Sequence, residues 1–127
     1  METIQIEGTP KTPTVKFDEP THTLVIRGRS IPENSIDFYK PLIDWLDQYA
    51  NSDASELIVK MELEYFNTSS SKCILDVFKK LEKLKNNGTS VSVRWHYEED
   101  DEDMLEAGED YDAIIDIDFE MIKVEEI

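Results

Sequence analysis

The chain has 127 residues, enough for one domain spanning 1–127 with one core, and its 39% apolar and 33% charged residues suit a folded soluble protein. Thirteen Lys and Arg against 29 Asp and Glu give a net charge of −16; such a polyanion repels phosphate backbones and anionic lipid, which argues against nucleic acid and membrane as partners. No apolar run approaches the ~20 residues of a membrane-spanning helix, and the lone Cys73 forbids an internal disulfide framework.

In chain order, Ile4-Gln5-Ile6-Glu7 alternates apolar and polar residues and reads as a short strand ending at Gly8. After the turn signals Pro10 and Pro13, Val15-Lys16-Phe17 alternates again, and Leu24-Val25-Ile26-Arg27-Gly28 follows as a third strand. The period then changes. Tyr39, Leu42, Ile43, Leu46, Tyr49 and Ala50 recur at helical steps, and Pro41 is tolerated only near a helix start, so the regular part is expected to begin close to Asp37. Glu56 to Leu63 is the next strand. A helix from about Ser69 to Asn86 carries the stripe Ile74, Leu75, Phe78, Leu81 and Leu84 and stops at Asn87-Gly88. Val91, Val93 and Trp95 mark another strand, Met104, Leu105, Gly108 and Tyr111 a short helix, and Phe119 to Val124 a last strand. The order β-β-β-α-β-α-β-α-β predicts an α/β fold with a single mixed sheet flanked by helices, its parallel pairs joined by right-handed helical crossovers.

The charge is unevenly spread. Glu98 to Ile127 holds 15 acidic residues and one basic, Lys123, a charge of −14, whereas the first 97 residues carry only −2. Such a segment can steer the protein toward a basic surface on another protein or serve as a solvated acidic face; composition leaves both open. The run Glu98–Asp103 lacks the alternating oxygen ligands and central glycine of a calcium loop, so no metal site is expected. No cofactor motif is present: glycine-rich phosphate loops, nucleophile elbows and zinc spacings are all missing. No catalytic residue is assigned; the alternative of a small enzyme rests on Cys73 or His96, whose types are commoner in structural roles. The opening Met1-Glu2-Thr3-Ile4-Gln5 lacks the basic and apolar parts of a secretion signal, and a reducing cytoplasm is the expected location.

The most informative stretch is Tyr65-Phe66-Asn67-Thr68-Ser69-Ser70-Ser71-Lys72, read as a loop at the carboxyl end of a strand that opens a helix. Functional groups gather at this position in parallel sheets. Asn67, Thr68 and Ser69 are all competent caps for the first-turn N–H groups, which, with the helix dipole, also favour a phosphoryl group. Capping alone is the plainer account, but the four consecutive hydroxyls Thr68 to Ser71 exceed what a cap needs. Lys72, one turn beyond Thr68, is placed to face it. Tyr65 and Phe66 are candidate aromatic anchors for a protein partner, with a core role the expectation for at least one of them.

Around this loop the sequence resembles the SiaC family of bacterial regulatory proteins. The resemblance extends over nearly the whole chain and is carried by Leu63-Glu64-Tyr65-Phe66-Asn67-Thr68-Ser69-Ser70 and by Trp95-His96-Tyr97-Glu98-Glu99-Asp100-Asp101-Glu102-Asp103-Met104, with support from Ile4 to Gly8, Thr12-Pro13 and Tyr39-Lys40-Pro41-Leu42. It implies a fold similar to anti-sigma factor antagonist (STAS-like) domains and a partner switch without catalysis. In such a switch a serine/threonine kinase is expected to phosphorylate a loop threonine, which by position is Thr68, and a PP2C-type phosphatase to remove the phosphate. Asn67, Ser69, Ser70, Ser71 and Lys72 are then its neighbours. By the same resemblance the unmodified protein is expected to bind and activate a diguanylate cyclase, linking the switch to cyclic-di-GMP and biofilm control. The remaining alternative is an unregulated acidic docking module.

Overall fold

Strict alternation places one side of every central strand in the core: Leu24 and Ile26, then Leu57, Val59, Met61 and Leu63, then Val91, Val93 and Trp95 are all buried. In the computed structural model these segments form a six-stranded sheet whose spatial order equals the chain order. The strands are β1 (Gln5–Ile6), β2 (Thr14–Asp18), β3 (Thr23–Ser30), β4 (Glu56–Phe66), β5 (Ser90–Glu98) and β6 (Asp118–Val124). The helices α1 (Ser35–Tyr49), α2 (Thr68–Asn86) and α3 (Glu102–Ile114) connect β3 through β6. The structure describes residues 3–127; Met1 and Glu2, which open the stretch read above as lacking a secretion signal, lie outside the described residues.

β1, β2 and β3 pair antiparallel, and β3 to β6 pair parallel. Each parallel step advances in one direction through a helix, so right-handed crossovers put all three helices on one face. The other face carries the outward row Lys16, Val25, Lys60, Arg94 and Glu120, which lie opposite one another across five strands.

Each helix is started by a side-chain cap. Asn34, Asn67 and Asp101 cap the three N-termini by accepting from Asp37, Ser70 and Met104 N–H groups. α2 ends in a Schellman motif: Thr89 N–H donates to Leu84 O and Gly88 N–H to Lys85 O, both at 3.0 Å, with Gly88 at φ +104° as the αL residue. α1 begins at Ser35, two residues before the expected Asp37, because Asn34 supplies the cap and Pro41 sits exposed on the outer side. Its core stripe includes Trp45, which the periodicity left out, and excludes Ala50, which is exposed.

The acidic third is anchored by one aromatic cluster. Trp95 lies within 6.2 Å, ring to ring, of Phe66, Phe78, Tyr111 and Phe119, and its Nε1–H donates to Met104 O at 2.9 Å. Gly108 lets α3 approach this indole: a Cβ there would stand 2.5 Å from Trp95 Cδ1. α3 can therefore be almost wholly acidic outside, since three inward positions, Met104, Gly108 and Tyr111, suffice to dock it.

Candidate phosphoacceptor site

β4 runs to Phe66 and α2 begins at Thr68, so Asn67 is the only residue between them and the expected loop is mostly helix. The cause is the strength of the Asn67 cap. Its N–H continues the sheet ladder to Ser30 O at 3.0 Å, while its Oδ1 accepts from Ser70 N–H at 2.9 Å and Ser69 Oγ–H at 3.1 Å.

A register shift precedes this junction. Gly28 pairs with Leu63 but Arg29 pairs with Tyr65, leaving Glu64 as an extra residue. Such a bulge reverses the direction of the side chains beyond it. Phe66 therefore turns inward against Trp95, and Tyr65 is left half exposed beside Arg29. Of the two aromatic anchors considered from sequence, only Tyr65 is available at the surface; Phe66 packs against the core.

The four hydroxyls separate sharply. Ser70 is fully buried, donating to Ser30 O at 3.0 Å and accepting from Ser30 Oγ–H at 2.8 Å. Tyr39 OH in turn lies 2.6 Å from Ser30 Oγ and, since that hydroxyl gives its proton to Ser70, acts as the donor. Ser69 Oγ meets Ser35 Oγ at 2.7 Å, and Ser71 Oγ–H donates to Thr68 O at 2.7 Å. Thr68 alone of the four makes no side-chain hydrogen bond among the described residues, and it is exposed at the first position of α2. Lys72 is exposed one turn along. α2 is also the helix with no acidic residue in its first turn, where Asp37 and the pair Glu102 and Asp103 serve α1 and α3.

The chain Tyr39–Ser30–Ser70 ties the start of α2 to α1 and to the end of β3. Ser70→Ala should cost about 1–3 kcal/mol, because the buried Ser30 hydroxyl loses its acceptor; urea denaturation of the two proteins measures it. Ser30, Ser35 and Tyr39 are the site residues that sequence reasoning missed. They lie 34 to 40 positions from Ser69 and Ser70, or, for Tyr39, act through Ser30, so no local pattern points to them.

The two residues of the enzymatic alternative do not meet. Cys73 is buried on α2 in the helix layer, where burial and then the Asp76 carboxylate push its thiol up. His96 follows inward-facing Trp95 on β5 and so points to the opposite face, with Nε2 at 4.0 Å from Glu62. Among the described residues no group of three or more His, Cys, Asp or Glu is placed to hold a metal ion, and no helix is long and apolar enough to cross a membrane.

The chain is 34% identical over 111 residues to an uncharacterized protein of Pseudomonas aeruginosa (strain UCBPP-PA14), covering 87% of this chain and 88% of that protein. Among solved structures it is similar to SiaC of Pseudomonas aeruginosa, with a TM-score of 0.89 at 31% identity over 98% of this chain and 100% of the other. It matches equally well, at TM-score 0.89 and 31% identity over 95% and 99% of the two chains, a chain in the crystal structure of the diguanylate cyclase SiaD in complex with its activator SiaC from Pseudomonas aeruginosa. The model for the SiaC family regulatory phosphoprotein matches residues 6–124. With nearly every element inside that match, the chain belongs to the SiaC family.

Proposed function

We propose that this protein is a non-enzymatic cytoplasmic switch, acting as one unit over residues 1–127, that binds and activates a diguanylate cyclase and is released when Thr68 is phosphorylated. The observation that carries the choice of residue is the hydroxyl inventory: Ser69, Ser70 and Ser71 are engaged, and Thr68 is exposed and unengaged. A kinase reaches this hydroxyl without breaking a hydrogen bond of the fold, and the start of α2 favours the phosphate that results. The choice of partner is supported by the relative named as the activator of SiaD. A serine/threonine kinase and a PP2C-type phosphatase complete the cycle.

Phosphate brings about −1.5 to −2 charge to an exposed helix end, which repels an acidic partner and desolvates poorly against an apolar one. Binding of the cyclase is therefore expected to fall on the order of 100-fold on Thr68 phosphorylation, the equivalent of about 2.7 kcal/mol of like-charge juxtaposition. Thr68→Ala should bind as the unmodified protein does and resist the kinase. Calorimetry with the SiaD-type cyclase of the same organism, before and after kinase treatment and peptide mapping, decides the matter. Phosphate on another residue, or equal affinity of both forms, overturns the switch; equal affinity combined with steep weakening by salt would instead mark an unregulated acidic docking module.

A further inference from the structure

A narrow cleft of about 170 Å³ lies between α1 and α2. Its walls are Ile36, Tyr39 and Ile43 from α1 and Cys73 from α2, with Lys40 and Asp76 at the rim. Ile36 is 75% exposed, more than any other large apolar side chain of the described residues. It follows Ser35, whose hydroxyl touches Ser69, so the cleft opens within a turn of Thr68.

Beside the cleft runs a stripe of positive charge. α2 carries Lys72, Lys79, Lys80, Lys83 and Lys85 against Asp76 and Glu82, a net charge of +3 in a chain of −16. Lys80 is held by Asp47 at 2.8 Å and Lys85 by Asp116 at 3.1 Å. Lys72, Lys79 and Lys83 have no carboxylate partner among the described residues. At about 100° per residue, Thr68 and these three lysines fall within roughly 60° of one another, and Asp76 and Cys73 of the cleft come next around the helix.

We propose that this cleft is where the cyclase docks, taking one apolar anchor side chain carried on an acidic segment that lies along the lysine stripe of α2. The inference rests on the partner switch described above and adds to it the surface and the chemistry of what binds there. An apolar cleft beside unpaired lysines fits an apolar residue flanked by carboxylates, and a basic partner segment would meet repulsion on the same bank. Thr68 heads the stripe. A phosphate there brings about −1.5 to −2 charge and offsets half or more of the positive charge on the three unpaired lysines, which accounts for one modification at the end of a helix releasing a partner bound along its length.

The test compares affinities for the SiaD-type cyclase of the same organism among the wild type, Ile36→Asp, the double variant Lys72→Glu/Lys79→Glu, and Arg94→Glu on the opposite sheet face. Ile36 is exposed and second in α1, where a carboxylate suits the helix dipole, so Ile36→Asp folds and its fold is checked by circular dichroism. A carboxylate in the wall that receives the partner's apolar anchor should weaken binding by at least about tenfold. The double lysine variant should weaken it about tenfold or more at low salt and flatten its salt dependence. Arg94→Glu should bind as the wild type does. Loss of binding by Arg94→Glu, with Ile36→Asp and the lysine variant unaffected, overturns the proposal. If phosphorylation releases the cyclase while Ile36→Asp binds normally, the cleft is wrong and the switch stands. If Ile36→Asp abolishes binding while phosphorylation changes nothing, the cleft stands and the switch is wrong.

Discussion

Trp95→Ala is expected to lower stability by about 3–5 kcal/mol, the range for removing a fully buried large aromatic side chain. Natural domains of this size are stable by roughly 5–15 kcal/mol in total, so the variant should be largely unfolded near body temperature or melt on the order of 15 °C lower. The reason lies in what the indole joins. It is 1% exposed and contacts rings from β4, α2, α3 and β6, and its Nε1–H holds Met104 O at the first turn of α3. Removing it leaves α3 with Met104 and Tyr111 on a vacated floor and with six exposed acidic residues, Glu102, Asp103, Glu106, Glu109, Asp110 and Asp112, repelling one another. Trp95→Phe keeps most of the volume and loses the indole hydrogen bond, so its cost should be nearer 1–2 kcal/mol. Thermal melts followed by far-UV circular dichroism give both numbers. A Trp95→Ala protein as stable as Trp95→Phe would mean that α3 is held by something other than this cluster.

Stability is expected to fall between about pH 10 and pH 12 by roughly 3 kcal/mol through Tyr39 alone. Burial pushes its phenol from 10.0 up to about 12, with Cys73 adding to the rise. The native state therefore keeps this proton in a range where the unfolded chain has lost it. Its contribution is complete below the unfolded value and is lost as pH climbs through the folded one. Tyr49, likewise raised to about 12 by burial and then by Glu56, titrates in the same window. Tyr39→Phe separates the two. At neutral pH it should cost about 1 kcal/mol through the bond to Ser30, but its stability should decline less than that of the wild type from pH 10 to 12. Urea midpoints across that range, paired with absorbance at 295 nm, provide the comparison; parallel curves for the two proteins would show that Tyr39 ionises freely in the native state. The chain Tyr39–Ser30–Ser70 predicts a further effect, since an ionised Tyr39 can no longer donate to Ser30 and the start of α2 should loosen with it.

The sequence alone was enough to read the element order, the mixed sheet and the inward side of the central strands as far as Leu63. It also picked out the Asn67 to Lys72 stretch, because alternation, helical period and capping chemistry are all local properties of neighbouring residues. Tertiary structure alone decided which of four consecutive hydroxyls stands unengaged. The partners that engage Ser69 and Ser70 come from Ser30 and Ser35, on segments far away in the chain, and a hydrogen bond across such a separation leaves no periodic trace. It decided equally that Tyr65 faces out and Phe66 in. Simple alternation from Leu63 assigns them the other way, and the reversal comes from one extra residue, Glu64, that pairing with β3 leaves out of register. The separation of Cys73 and His96 onto opposite sides of the sheet belongs to the same class, since only the crossover geometry says which face the helices cover. The local pattern says which residues turn inward; packing between distant segments settles which polar groups are left to act.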